Sequence, residues 1–169
     1  MSRSKTDSFV LELKLKTSSA DNAHLEKCFS IGCRIYNTIV RHCRRQIASL
    51  RQDKTYRKLL AEYRSLQNGA GRNAVSKQLN AIVASYGLTE YSLHSFVAVQ
   101  QNKFKKYINS QVAQKIASSV WKGVEKVLYG NGKYLHFRKY TEFVSLEGKS
   151  NSTGFIFRGG VLKMNNRSI

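Results

Sequence analysis

The hydrophobic period of the chain changes twice along its length, and that change restricts the folds open to it. Residues 9 to 16, FVLELKLK, alternate, with Phe9, Leu11, Leu13 and Leu15 on one side and Glu12, Lys14 and Lys16 on the other. A two-residue period is that of a half-buried strand. TSSADN follows, with side chains able to accept the first free N–H groups of a helix, and from there the period is helical. At about 100° per residue, Leu25, Phe29, Gly32, Tyr36, Ile39, Cys43, Ile47 and Leu50 share one face of a helix over roughly 21–50. Asp53 or Thr55 starts a second helix to about Gln67, broken by NGAG at 68–71. Val75, Leu79, Ile82 and Tyr86 mark a third, stopped by Gly87 at a left-handed cap. Thr89 opens a fourth, with Leu93, Phe96, Val97, Phe104, Tyr107 and Ile108 as its core face, and Ser110 opens a fifth to Leu128 or Tyr129.

After Gly132 the two-residue period returns in KYLHFR (133–138), EFVSLE (142–147), FIFR (155–158) and VLKMN (161–165), with Gly159-Gly160 as a hairpin turn. A few strands are not stable alone, and the strand at 9–16 also needs a neighbour. The expectation is therefore an α+β fold, a helical bundle inserted after the first strand of a small β-barrel or sheet. Its β part comprises residues 1–17 and 130–169, and its helical part residues 18–129.

Lys and Arg number 29 against 10 acidic residues, a net charge of +19. The excess is spread along the chain, +9 over residues 1–102 (16 basic, 7 acidic) and +10 over 103–169 (13 basic, 3 acidic). A long polyanion-binding surface fits this better than a basic tail does. A ribosomal or general RNA-binding protein has the same charge profile. Cys28, Cys33 and Cys43 are odd in number and lack the paired spacing of a zinc site. They are read as reduced thiols of a cytoplasmic protein, in the bacterial cytosol or nucleoid. No apolar leader and no run long enough to span a membrane is apparent.

Four stretches are candidate nucleic-acid contacts. On the first helix Lys27, Arg34, Arg41 and Arg45 form a stripe opposite the core face. A charged stripe is ordinarily a solvated face, but here one sign is stacked with almost no acid between, and such like-charge pairs repel. Phosphates would relieve the repulsion. The fifth helix sets Val112, Ala113, Ile116, Ala117, Val120, Val124 and Val127 on one arc, with Gln111, Gln114, Lys115, Ser118, Lys122 and Lys126 opposite. Glutamine beside lysine can read base edges or hold phosphate, although the same residues also make a plain solvent face. In KYLHFRKY, Tyr134, His136 and Arg138 share one strand face, with Lys139 next to them and Leu135 and Phe137 on the expected core side. Tyr134 could stack a base beside these cations. GKSNSTG at 148–154 is either a polar turn or a phosphate-binding loop through Lys149, Ser150 and Asn151; it lacks the spacing of a P-loop. The carboxylates are scattered, and His24, His42, His94 and His136 form no metal-ligand pair. The residues imply no cofactor, no metal and no catalytic group.

The order strand, helical bundle, a basic run ending FRK, the segment LEGKSNSTGFIF and a turn with VLKMN resembles the amino-terminal region of the TnpB family. These are OrfB-type, transposon-encoded RNA-guided nucleases related to the type V CRISPR nucleases, and the likeness covers the whole chain. The resemblance implies that the strands form a wedge domain and the helices an inserted recognition domain. It further implies that together they hold a guide-like RNA and read a short motif beside a double-stranded DNA target. Gln111, Gln114 and Lys115 match the region that faces that motif. The family's RuvC-like nuclease and zinc finger are expected to begin after VLKMNNRSI, where this sequence ends, so the resemblance implies recognition without cutting by this chain. A second protein chain carrying the nuclease is the partner a split arrangement would require. A general structured-RNA-binding protein is the rival reading.

Overall fold

The computed structural model describes residues 12–150, 152–165 and 167–169. Five helices and one small antiparallel sheet make a mixed α+β fold: α1 (Ser19–Gln52), α2 (Lys54–Ser65), α3 (Ala70–Ser85), α4 (Glu90–Asn102), α5 (Ser110–Tyr129), then β1 (Phe155–Arg158), β2 (Val161–Met164) and β3 (Arg167–Ser168). Polar side chains fix where α1, α2, α4 and α5 begin. Ser18 Oγ accepts the Asp21 N–H at 3.2 Å, and Asp21 Oδ2 accepts the Ser18 N–H at 3.1 Å, so two free donors are satisfied reciprocally. Asp53 ends α1 and starts α2, taking the Tyr56 N–H at 2.9 Å and, through its other oxygen, the Tyr86 hydroxyl at 2.9 Å. One carboxylate thus ties the start of α2 to the end of α3. Thr89 and Asn109 accept the N–H groups of Ser92 and Val112 and start α4 and α5. The expected break at 68–71 is shorter than the sequence suggests, since Ala70 and Gly71 already belong to α3.

The core is one cluster. Cys28, Ile31, Ile35, Ile39, Cys43, Ile47 and Leu50 of α1 meet Leu93 and Val97 of α4 and Val112, Ile116, Val120 and Val124 of α5. The central helix buries a wider arc than one stripe because other helices flank it, and Cys28, Cys33 and Val40 are buried with the rest. α2 and α3 pack on each other beside this group, through Tyr56, Val75, Leu79 and Val83. Leu135, Phe143 and Met164 from the C-terminal third belong to the same cluster.

The strands differ from expectation. Positions 9–11 of the first predicted strand lie outside the described residues, and 12–16 are exposed without regular structure. FIFR and VLKM form the hairpin β1–β2, in register Arg158↔Val161 to Phe155↔Met164. Gly159 (φ 59°) and Gly160 (φ 76°) both take left-handed backbone, the pair of positive angles that a two-residue hairpin turn demands. β3 adds two residues beyond β2.

Residues 133–138 and 142–147 are not strands, contrary to the alternation of their side chains. They form a strap on α1 and α5, with a 3₁₀ turn at Tyr140–Glu142. The physical reason lies in the backbone bonds. Asn37 of α1 accepts the Arg138 N–H and donates to the Arg138 carbonyl, each at 2.9 Å, so a helix side chain takes the groups that a strand neighbour would use. Leu135 and Phe143 then sink where α5 and α1 carry glycine. Leu135 lies over Gly123, and Phe143 with Leu146 lies over Gly32.

Candidate nucleic-acid interface

The stripe expected on α1 is present, and every member is exposed: Lys27, Arg34, Arg41 and Arg45. From Lys27 to Arg45 it runs roughly 27 Å at 1.5 Å per residue. Two aromatic side chains from other elements seat one arginine of the stripe, Arg34, and one beside it, Arg44. The Arg34 guanidinium lies 5.5 Å from the ring centroid of Phe104, in the turn between α4 and α5, and that of Arg44 lies 5.2 Å from Phe137 of the strap. A cation held over a ring face keeps its N–H donors available for phosphate oxygens. Among the described residues the Lys and Arg side chains in ion pairs are Lys115, Lys139 and Arg167, so none of these five cations is neutralised by a carboxylate. Arg41, Arg44, Arg45, Ala48 and Phe137 line an open depression of about 310 Å³. Phe137, expected in the core, is 44% exposed. With no strand to alternate, Leu135 alone reaches the interior and Phe137 becomes the platform under Arg44.

The strap continues this surface toward α5. The Arg138 guanidinium lies 4.6 Å from the Tyr36 ring centroid and 5.9 Å from that of Phe143. Tyr36, Lys115, Arg138, Phe143 and Glu147 bound a cleft of about 130 Å³. Lys115 is 3.4 Å from Glu147, a partly exposed pair worth little in stability. Lys149 donates to Gln114 Oε1 at 2.5 Å. Gln111 lines a second cleft of about 410 Å³ with Ser152, Thr153, Gly154 and Lys163. The Asn109 side chain, which caps α5, also donates to the Gly154 carbonyl at 3.2 Å and anchors the loop there. Ser150 is 2.9 Å from the Ser152 hydroxyl and 3.0 Å from that of Thr153. The loop thus gathers hydroxyls beside Lys149. Asn151 lies outside the described residues.

The predicted residues therefore fall into three groups. Lys27, Arg34, Arg41 and Arg45 form one ridge. Gln111, Gln114, Lys115, Arg138, Lys149 and Ser150 gather where the strap and the loop meet α5, with Lys139 paired to Glu142 at 3.8 Å nearby. Tyr134 (66% exposed) and Lys122 stand on the surface without either group, and Ser118 is 2.9 Å from His94 Nε2, facing α4. Sequence spacing missed Asn37, Phe104 and the use of Phe137, because a contact between distant elements has no period. Arg44 stood next to Arg45 in the sequence but about 100° off the stripe.

Nucleophilic chemistry has little support in the geometry. Ser118 and Glu90 both approach His94 at Nε2, at 2.9 and 3.7 Å, whereas a carboxylate orienting a catalytic imidazole sits on the opposite ring nitrogen. Burial pushes the Cys28 thiol up to about 11 and the Cys43 thiol up to about 12, and raises Cys33 as well. Such thiols carry almost no thiolate near neutrality. His24 and His42 are held below the ordinary imidazole range, chiefly by burial, and His42 stacks on Phe96 with centroids 4.2 Å apart. Among the described residues no group of three His, Cys, Asp or Glu side chains could hold a metal ion, and no helix is long and apolar enough to cross a membrane. The chain matches no protein-family model, no curated protein and no solved structure.

Proposed function

We propose that this protein binds nucleic acid, chiefly through the sugar–phosphate backbone, along the α1 ridge and onward over the strap to α5. The observation that carries the reading is the set of five exposed cations without carboxylate partners among the described residues, two of them seated on aromatic rings from other elements. A solvated helix face has no need of such seats, whereas a phosphate site gains from guanidinium groups already in place.

The resemblance to TnpB-type proteins makes the reading more specific. The polyanion is then a guide-like RNA, the helices are a recognition bundle inserted in a wedge formed by residues 1–17 and 130–169, and the α5 face meets a DNA duplex beside the target. One contact favours the rival reading, a structured-RNA-binding protein without DNA targeting. Reading adenine takes both the carbonyl and the amide of a glutamine, and the Gln114 carbonyl already accepts from Lys149, which leaves it one lone pair and fixes its direction. Crosslinking in cells followed by sequencing of the bound RNA separates the two. A single recurrent RNA species that directs the protein to a matching duplex supports guided recognition. A diverse set of structured RNAs supports the rival, and no crosslinked RNA overturns both.

A further inference from the structure

On the side of the bundle formed by α2, α3 and the end of α5, two cavities of about 300 and 440 Å³ share Ser76, Asn80, Val83 and Tyr129. With four lining residues in common, the two adjoin as one groove. The first adds Tyr56, Tyr63 and Arg64, and the second adds Trp121. Trp121 and Tyr129 are eight residues apart on α5 and so lie on one side of it.

Three features distinguish this groove from a packing defect. Tyr129 is 58% exposed, a large aromatic left on the surface where a core would have covered it. Its hydroxyl donates to Asn80 Oδ1 at 3.1 Å, which spans the groove and leaves the Asn80 amide nitrogen without a partner among the described residues. Cations border the α2 side. Arg64 lines the groove, Arg51 and Arg64 act electrostatically on Tyr56, and the Arg72 guanidinium, which donates to Asn68 Oδ1 through Nη1, lies 4.4 Å from the Tyr63 ring centroid with its Nε lacking an acceptor among the described residues. The carboxylate acting on Tyr129 is Glu125, on the α5 side. An anionic ligand would therefore place its charge toward α2 and its uncharged part between the rings.

Flat rings, one amide at the groove's centre and arginines along one rim suit an unpaired nucleotide. The base stacks on an aromatic face, the amide meets its polar edge, and the phosphates run past the arginines. We infer that this groove is a second nucleic-acid site, one that takes an unstacked base from a single-stranded segment. It lies on different elements from the α1 ridge, and it rests on the reading that the protein binds nucleic acid.

Trp121 is the chain's one tryptophan, so its fluorescence reports the groove directly. The full chain is titrated at fixed ionic strength with a short oligouridylate, with an oligothymidylate of the same length, with an abasic oligomer of equal charge, and with a duplex. Quenching of Trp121 by a base-bearing strand but not by the abasic oligomer is expected. Tyr129→Ala should weaken binding of that strand about 5- to 150-fold, the range for loss of one stacked base. Tyr129→Phe keeps the ring and should stay near the unmodified affinity, which separates stacking from damage to the fold. Equal quenching by the abasic oligomer overturns the inference, as does unchanged affinity in Tyr129→Ala while duplex and single strands still bind. If no nucleic acid binds at all, the proposed function falls and this inference with it.

Discussion

Replacing Gly32 with alanine should destabilise this protein even though the change favours a helix. Within α1 an alanine gains about 1 kcal/mol over glycine from propensity alone. The added Cβ, however, would stand 2.8 Å from Phe143 Cε1 and 2.9 Å from Leu146 Cδ2, distances that real side chains do not tolerate. Phe143 is 4% exposed, so its ring cannot swing away within the packed interior. Either the strap lifts and Phe143 loses much of a burial term of about 1.5–3 kcal/mol, or the core accepts overpacking at about 1–3 kcal/mol. Both match or exceed the propensity gain, leaving a net loss of up to about 2 kcal/mol, and in a chain of this size each kcal/mol lowers Tm by about 2–4 °C. Urea and thermal unfolding of Gly32→Ala measure it. The same substitution in a Phe143→Leu/Leu146→Ala background should be neutral or stabilising, because the opposing atoms are gone. A Gly32→Ala protein more stable than the unmodified chain would refute the docking of the strap on α1.

Asn37→Ala removes both hydrogen bonds to Arg138 and should cost about 1–3 kcal/mol, with faster amide exchange at residue 138 than in the unmodified protein. The Asp21 carboxyl is held down to about 2 by its hydrogen bond from the Ser18 hydroxyl and by Arg167, whose Nη2 is 2.8 Å away. Its contribution is complete above the unfolded value near 4 and is lost as pH falls from there toward 2. Asp21→Asn should therefore flatten the acid limb of the stability curve, as read by circular dichroism against pH. Cys28, Cys33 and Cys43 are buried with raised pKa values; at pH 8 they should resist alkylation in the folded protein and react together once urea unfolds it.

Where interactions are local, the sequence is a sufficient guide. All five helices are visible in it, since a run of apolar residues at helical spacing lies within one element, but α4 ends at Asn102, so Phe104, Tyr107 and Ile108, expected on its core face, lie in the turn before α5. The hairpin is equally legible from Gly159-Gly160. The alternating runs 133–138 and 142–147 mislead because alternation records side chains, whereas a strand also needs a partner for its backbone. Here Asn37, about a hundred positions away, takes that place at Arg138. The interface follows the same division. The cations of α1 can be found by angle, but the aromatic rings under Arg34 and Arg44 arrive from distant segments. On α5 the spacing picks out Gln114 and Lys115 without indicating that Lys149 and Glu147 already engage them.

The central claim is that the α1 ridge holds phosphates, and the salt dependence of binding tests it most directly. The affinity of the full chain and of an Arg34→Glu/Arg41→Glu/Arg45→Glu variant is measured across a series of salt concentrations, with fluorescence anisotropy of a labelled RNA. Each lost phosphate contact reduces the slope of log affinity against log salt by about 0.9 on a duplex and about 0.7 on a single strand. Loss of three contacts should flatten the slope by roughly 2–3, along with weaker binding at low salt. A variant with the slope and affinity of the unmodified protein would contradict the account and leave the ridge an ordinary solvated helix face.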